Sequence, residues 1–171
     1  MKKFRLLALA FVLAALSGCA RKTVVWETVD DSVDTEVLAP TQSSYVLHFD
    51  LPEDVQARQE DGNTCYVQED GDYRIESRYL VADSADSAAH MLTGSSLREL
   101  GAIETSRCGL PEYRFAWYEQ EDSELCQADL IVDGRSCYAL IFSRKEDAAG
   151  SYDTTAGRIF ASLCLDGDEG F

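Results

Sequence analysis

The spacing of apolar and polar positions changes several times along the chain, and each change marks an element. Tyr45-Val46-Leu47-His48-Phe49 is a β-rich run, and Leu51-Pro52-Glu53 ends it because proline cannot donate to a strand ladder. Thr64 to Glu69 and Asp72 to Val81 are two further runs of this kind. Asp70-Gly71 between them signals a hairpin, since a type I′ turn needs positive φ at both central residues. The period then lengthens. Ala85, Ala88, Ala89 and Leu92 fall on one helical face, with Asp83 or Ser84 as N-cap and Gly94 as the stop. Ser96-Leu97-Arg98-Glu99 has the form of a capping box for one more short turn before Gly101.

Alternation returns at Ile103. Ile103 to Arg107 predicts a short strand that Gly109-Leu110-Pro111 breaks, and Tyr113, Phe115 and Trp117 then alternate with Arg114, Ala116 and Tyr118. Beyond the polar turn Gln120 to Ser123, Leu125 to Val132 and Ser136 to Ser143 predict a hairpin joined through Asp133-Gly134. In that register Val132 faces Arg135 and Cys137 faces Leu130. Cys126 and Cys137 are then roughly 13 Å apart along the strands, beyond the Cα separation of about 7 Å that a disulfide tolerates. Ser136 to Ser143 is apolar on both faces, which predicts a central strand covered on both sides. Arg144 to Gly150 is a polar loop, and Tyr152, Ala156, Ile159, Phe160 and Leu163 predict a closing helix with one buried side. The expected fold is α+β: an antiparallel meander packed with two main helices.

The first 18 residues obey a different logic. Lys2, Lys3 and Arg5 precede an apolar run from Leu6 to Leu16, too short for the roughly 20 residues of a spanning helix, and this is the make-up of a secretory signal peptide. Leu16-Ser17-Gly18-Cys19 closes it. These four residues resemble the lipobox of bacterial lipoproteins. The resemblance implies cleavage after Gly18, a lipid on Cys19 and an extracytoplasmic domain held to a bacterial membrane by acyl chains, of which two or more anchor stably. Residues 19–44 read as a tether, within which Thr23 to Thr28 offers an edge strand. At full extension such a tether reaches roughly 85 Å. Residues 45–165 read as a single α/β domain and residues 166–171 as an acidic tail.

The order of these elements resembles the PsbP, Mog and DcrB-type fold. Tyr45 to Glu53 is similar to that family's opening strand running into proline, and Cys108-Gly109-Leu110-Pro111-Glu112-Tyr113-Arg114 to its glycine turn before a strand. Gly134 to Ser143 followed by Ile159-Phe160-Ala161-Ser162-Leu163 is similar to its last strand and final helix. The frequent Trp soon after the proline is absent after Pro52. The resemblance implies a binding or assembly scaffold rather than one ligand.

Charge narrows the partners. The signal segment holds three of the 15 basic residues and none of the 31 acidic ones, so cleavage leaves a net charge of −19. That surface repels phosphate backbones and anionic lipid headgroups, so the expectation is no nucleic acid, membrane attachment through lipidated Cys19, and an envelope protein or ligand as partner. After Cys19 come Cys65, Cys108, Cys126, Cys137 and Cys164. An exported chain permits disulfides, and the odd number leaves at least one free or intermolecular thiol.

Catalytic signals are sparse. His48 and His90 lack an HxxxH, HExxH or paired-Cys context. No G-x-S-x-G elbow occurs in the mature chain. The acidic clusters at Glu69 to Asp72, Asp30 to Asp34 and Asp166 to Glu169 do not match a calcium loop. No cofactor, metal or catalytic residue is assigned on this basis. The leading expectation is a non-catalytic binding or assembly scaffold. The alternatives are an enzyme with an unrecognised site and a thiol redox sensor, which needs an exposed thiol of lowered pKa.

Overall fold

The computed structural model describes residues 26–32, 45–60, 63–150 and 152–167. The signal peptide, Cys19 and most of the expected tether lie outside them. The elements in order are β1 (Trp26–Ser32), β2 (Tyr45–Pro52), β3 (Val55–Glu60), β4 (Asn63–Gln68), β5 (Tyr73–Val81), α1 (Ala85–Thr93), β6 (Ile103–Arg107), β7 (Leu110–Glu119), β8 (Glu124–Asp133), β9 (Ser136–Lys145), α2 (Asp153–Ser162) and β10 (Cys164–Gly167). Seven strands form one sheet in the order β3-β4-β5-β9-β8-β7-β6, and β1-β2-β10 form a second. The strand pairs are antiparallel. The fold is therefore α+β, as the element pattern predicts.

Two meanders meet at β9, the middle strand of the large sheet. Eight successive residues of β9, Ser136 to Ser143, are buried, which matches their apolar character on both faces. Tyr138, Leu140 and Phe142 point to one side, where they join Tyr73 and Ile75 of β5, Leu47, Phe49 and Leu51 of β2, and Ala156 and Ile159 of α2. Cys137, Ala139 and Ile141 point to the other, against Phe115, Leu130 and the α1 residues Ala88 and Ala89. Helix α1 carries the chain from β5 to the far edge strand β6. Its N-cap is Ser84, whose hydroxyl accepts from the Ser87 N–H at 3.1 Å, and Gly94 closes it at φ +74°. The capping box also forms: the Glu99 carboxylate accepts from the Ser96 N–H at 2.8 Å and the Ser96 hydroxyl from the Glu99 N–H.

The structure corrects the expected boundaries. Trp26–Ser32, within the span read as tether, is a strand paired along β2, and β10 pairs with the other edge of β2 as far as Gly167, inside the span read as tail. Strand β3 was not expected, because Val-Gln-Ala-Arg-Gln-Glu has few apolar positions. It is an exposed edge strand.

Three turns also differ. Asp133 pairs with Ser136, so the last hairpin turns on Gly134-Arg135. Only Gly134 has positive φ there, the requirement of a type II′ rather than a type I′ turn. Cys137 consequently faces Val132 and Cys126 faces Ser143, which places the two thiols further apart than the expected register does. Asp70-Gly71 lies in a longer loop, in which the Gly71 N–H donates to the Gln68 carbonyl at 2.8 Å. β6 ends at Arg107 as expected, but Arg107 pairs with Leu110, so the break is the two-residue turn Cys108-Gly109 with both φ values positive, and Leu110 and Pro111 already belong to β7.

Candidate functional site

Alternation on β6, β7 and β8 sends Arg107, Glu112, Arg114 and Asp129 to the α2 side of the large sheet. Arg114 and Asp129 are direct cross-strand partners. Arg107 donates through Nε to Glu112 at 2.7 Å, through Nη2 to Asp129 at 3.4 Å and through Nη1 to the Leu163 carbonyl at 2.6 Å. Arg114 donates to both oxygens of Glu112 at 3.2 and 3.3 Å, and its Nε lies 3.4 Å from Asp129. Glu112 and Asp129 are only 1% and 3% exposed, so each charge here depends on these partners.

Burial works differently on the two acids. It pushes Asp129 up to about 7, helped by its hydrogen bond with Glu112 and opposed by the two guanidinium groups. Burial also works to raise Glu112, but the hydrogen bonds from Arg107 and Arg114 outweigh it and leave this carboxyl below its ordinary value. The two neighbouring acids are thus driven apart, Asp129 toward its neutral form and Glu112 toward its charged form.

This cluster walls a groove of about 700 Å³. Leu100, Ile103, Phe115 and Ala128 line it from the large sheet and the segment after α1, and Gly157, Phe160 and Ala161 line it from α2. Ile103 is 67% exposed. A second cavity of about 350 Å³ by the β4–β5 loop is polar, with Arg58, Arg74, Glu124 and Lys145 among its lining.

The histidines lie elsewhere. His48 is on β2 with Nε2 3.3 Å from Asp166, and His90 is an exposed residue of α1 whose carbonyl accepts from the Gly94 N–H. Neither lines either cavity. Among the aromatics, Phe115 and Tyr138 are core residues, and Tyr113 and Trp117 pack on the α1 side. Tyr118 is exposed and donates to Glu146 at 2.8 Å.

Cys65, Cys126 and Cys137 are buried, Cys164 is half-buried and Cys108 is exposed. Cys126 accepts from the Ser143 hydroxyl at 3.2 Å. Burial raises the thiols of Cys126, Cys137 (to about 11) and Cys164, the opposite of what a redox-sensing thiol requires. Cys108 and Cys164 are brought together, with sulfurs 3.9 Å apart.

The charged cluster is hidden in the sequence because Asp129 lies 15 to 22 positions from Arg114, Glu112 and Arg107 and meets them only through β7–β8 pairing. One signal was present. Asp129 interrupts the apolar run of β8, and an acid in a buried strand requires a partner. Among the described residues, no group of three or more His, Cys, Asp and Glu is placed to hold a metal ion, and no helix is long and apolar enough to cross a membrane.

No family model matches the chain, and no curated protein matches it. A crystal structure from Bacteroides thetaiotaomicron is similar, with a TM-score of 0.49 and 12% identity, over 72% of this chain and 46% of that one.

Proposed function

We propose that this chain is a lipid-anchored extracytoplasmic protein of a bacterial envelope, carried on Cys19, whose folded domain is a non-catalytic binding or assembly scaffold. The groove between α2 and β6–β8 is its binding surface. The observation that carries this reading is the internal pairing of the polar groups there. Arg107 is committed to Glu112, Asp129 and the Leu163 carbonyl, which leaves apolar Ile103, Leu100 and Phe160 and the half-exposed Arg114 to meet a partner. The PsbP, Mog and DcrB-like order of elements supports a scaffold of the same kind. Acyl chains on Cys19 supply the attachment, because the net charge disfavours adhesion to anionic lipid.

A photoreactive residue placed at Ile103 in intact cells tests the surface, with Met91 on α1 as control. Discrete adducts from position 103, lost in Arg114→Glu and absent from position 91, are expected. Equal labelling at both positions refutes the groove. Cys19→Ala tests the anchor: the variant is expected to lose palmitate labelling and membrane retention.

A second reading, an acid–base enzyme, is favoured by the raised carboxyl of Asp129, which lines the groove between Arg107 and Arg114. Turnover of a substrate that Asp129→Asn abolishes, with a pH–rate break near 7 in the wild type, would replace the scaffold reading.

A further inference from the structure

We propose that Cys108 and Cys164 form a disulfide that staples the β6–β7 hairpin to the start of β10. Their sulfurs are 3.9 Å apart. The approach is set by the main fold rather than by two mobile side chains. The residues just before them, Arg107 and Leu163, are joined by the 2.6 Å hydrogen bond from a guanidinium to a carbonyl. Arg107 is itself fixed by Glu112 and Asp129. Cys108 occupies the first place of a tight turn at φ +51°, so its position is dictated by the hairpin.

The other thiols have no such option. Cys126 faces Ser143 and Cys137 faces Val132 on the same hairpin, roughly 20 Å apart at strand rise. Cys65 faces Glu76 of β5, with β5 and β9 between it and β8, roughly 14 Å of strand spacing from Cys126. Both separations exceed the reach of a disulfide. Cys65, Cys126 and Cys137 are also 2%, 3% and 0% exposed, closed to an oxidant. The odd number of cysteines after Cys19 then resolves into one cross-link and three buried thiols.

The chemistry is a two-electron thiol–disulfide exchange with a small disulfide oxidant. Cys108, the exposed partner, attacks as thiolate one sulfur of the oxidant, breaking its S–S bond and releasing one thiol. Cys164 then attacks the Cys108 sulfur, releasing the second thiol and closing the bond. Two electrons and two protons pass to the oxidant. Burial and the adjacent Cys108 raise the Cys164 thiol, so closure accelerates as pH rises. The staple holds Arg107 and the end of α2, both walls of the groove, at fixed spacing.

The proposal rests on the extracytoplasmic reading only for its oxidant in the cell. The test is a non-reducing peptide map of the full chain, purified with thiols blocked, before and after treatment with oxidised glutathione. The expected result is a peptide pair linked through Cys108 and Cys164 that reduction separates, with Cys65, Cys126 and Cys137 alkylated only after unfolding. A link that forms only with oxidised glutathione supports the pairing and counts against the extracytoplasmic reading. Free Cys108 and Cys164 after oxidation, or either joined to another cysteine, overturns the proposal. Reduction is also expected to lower the melting midpoint by roughly 5–15 °C, with no such drop in Cys108→Ser. Equal drops in both proteins would refute the staple.

Discussion

The α2 side of the large sheet is built in two ways. Between β4 and β9 it presents Tyr66, Tyr73, Ile75, Tyr138, Leu140 and Phe142, sealed by Leu47, Phe49 and Leu51 of β2 and by Ile159. On β6 to β8 the same side presents Arg107, Glu112, Arg114 and Asp129 beneath an open groove. The strand geometry is common to both, and the cover differs. The second sheet lies over the first region, so its residues gain by leaving water. The outer strands lack that lid, and the charges there are tolerated because each finds an opposite partner. A sheet face can thus change chemistry within two strands when its covering layer ends.

The sharpest way to break this contrast is Glu112→Ala. It strands two guanidinium groups at a nearly buried site, and loss of one member of such a cluster costs about 3–5 kcal/mol, read as a lower urea midpoint. Ile159→Ala in the sealed region is expected to cost about 2–5 kcal/mol, since Ile159 is fully buried. Phe160, one position on, was expected on the buried side of α2, yet it is half-buried at the groove. Phe160→Ala should therefore cost less than Ile159→Ala in parallel denaturation curves, and equal costs would show that the groove is sealed.

Proton linkage sharpens the comparison further. Asp129 binds its proton more tightly folded than unfolded, because burial raises its folded pKa from 3.8 to about 7. The protonated form stabilises the fold, and this contribution fades as pH rises from about 4 to 7. Glu112, shifted downward, acts in the opposite sense and only under more acidic conditions, where protonation removes its ion pairs. The urea midpoint of the wild type should therefore fall between about pH 5 and 7, and Asp129→Asn should flatten that slope. The smallest effect belongs to the opposite face: Ser84→Ala, which removes the α1 cap, should cost about 1 kcal/mol without altering the pH slope.

The elements most legible in sequence are those whose local signals agree with their burial. Helix α1 has its cap, its alanine face and its stop glycine, and β9 is apolar at every position from Cys137 to Phe142, all of them buried. The elements hidden from sequence depend on distant partners. β10 is four residues long and exists by pairing with Tyr45 to His48. β3 has little apolar content and is held by the β4 ladder. The turn at Gly134 was legible as a hairpin but not in its register, because a glycine with positive φ suits either central position. The charged cluster required the pairing of β7 with β8 before Glu112 and Asp129 became neighbours. The proximity of Cys108 to Cys164 required the path of α2 as well.

The place of β9 between β5 and β8 also governs when the fold can be completed. Tyr73 pairs with Arg144 and Val81 with Ser136, so each meander waits for a strand made long after β5. Closing such distant pairs carries a loop-entropy cost before any contact repays it, which slows folding. Until Lys145 emerges from the ribosome, the chain has two half-sheets with open inner edges. Such a chain is most in need of protection from aggregation just before its final hairpin arrives.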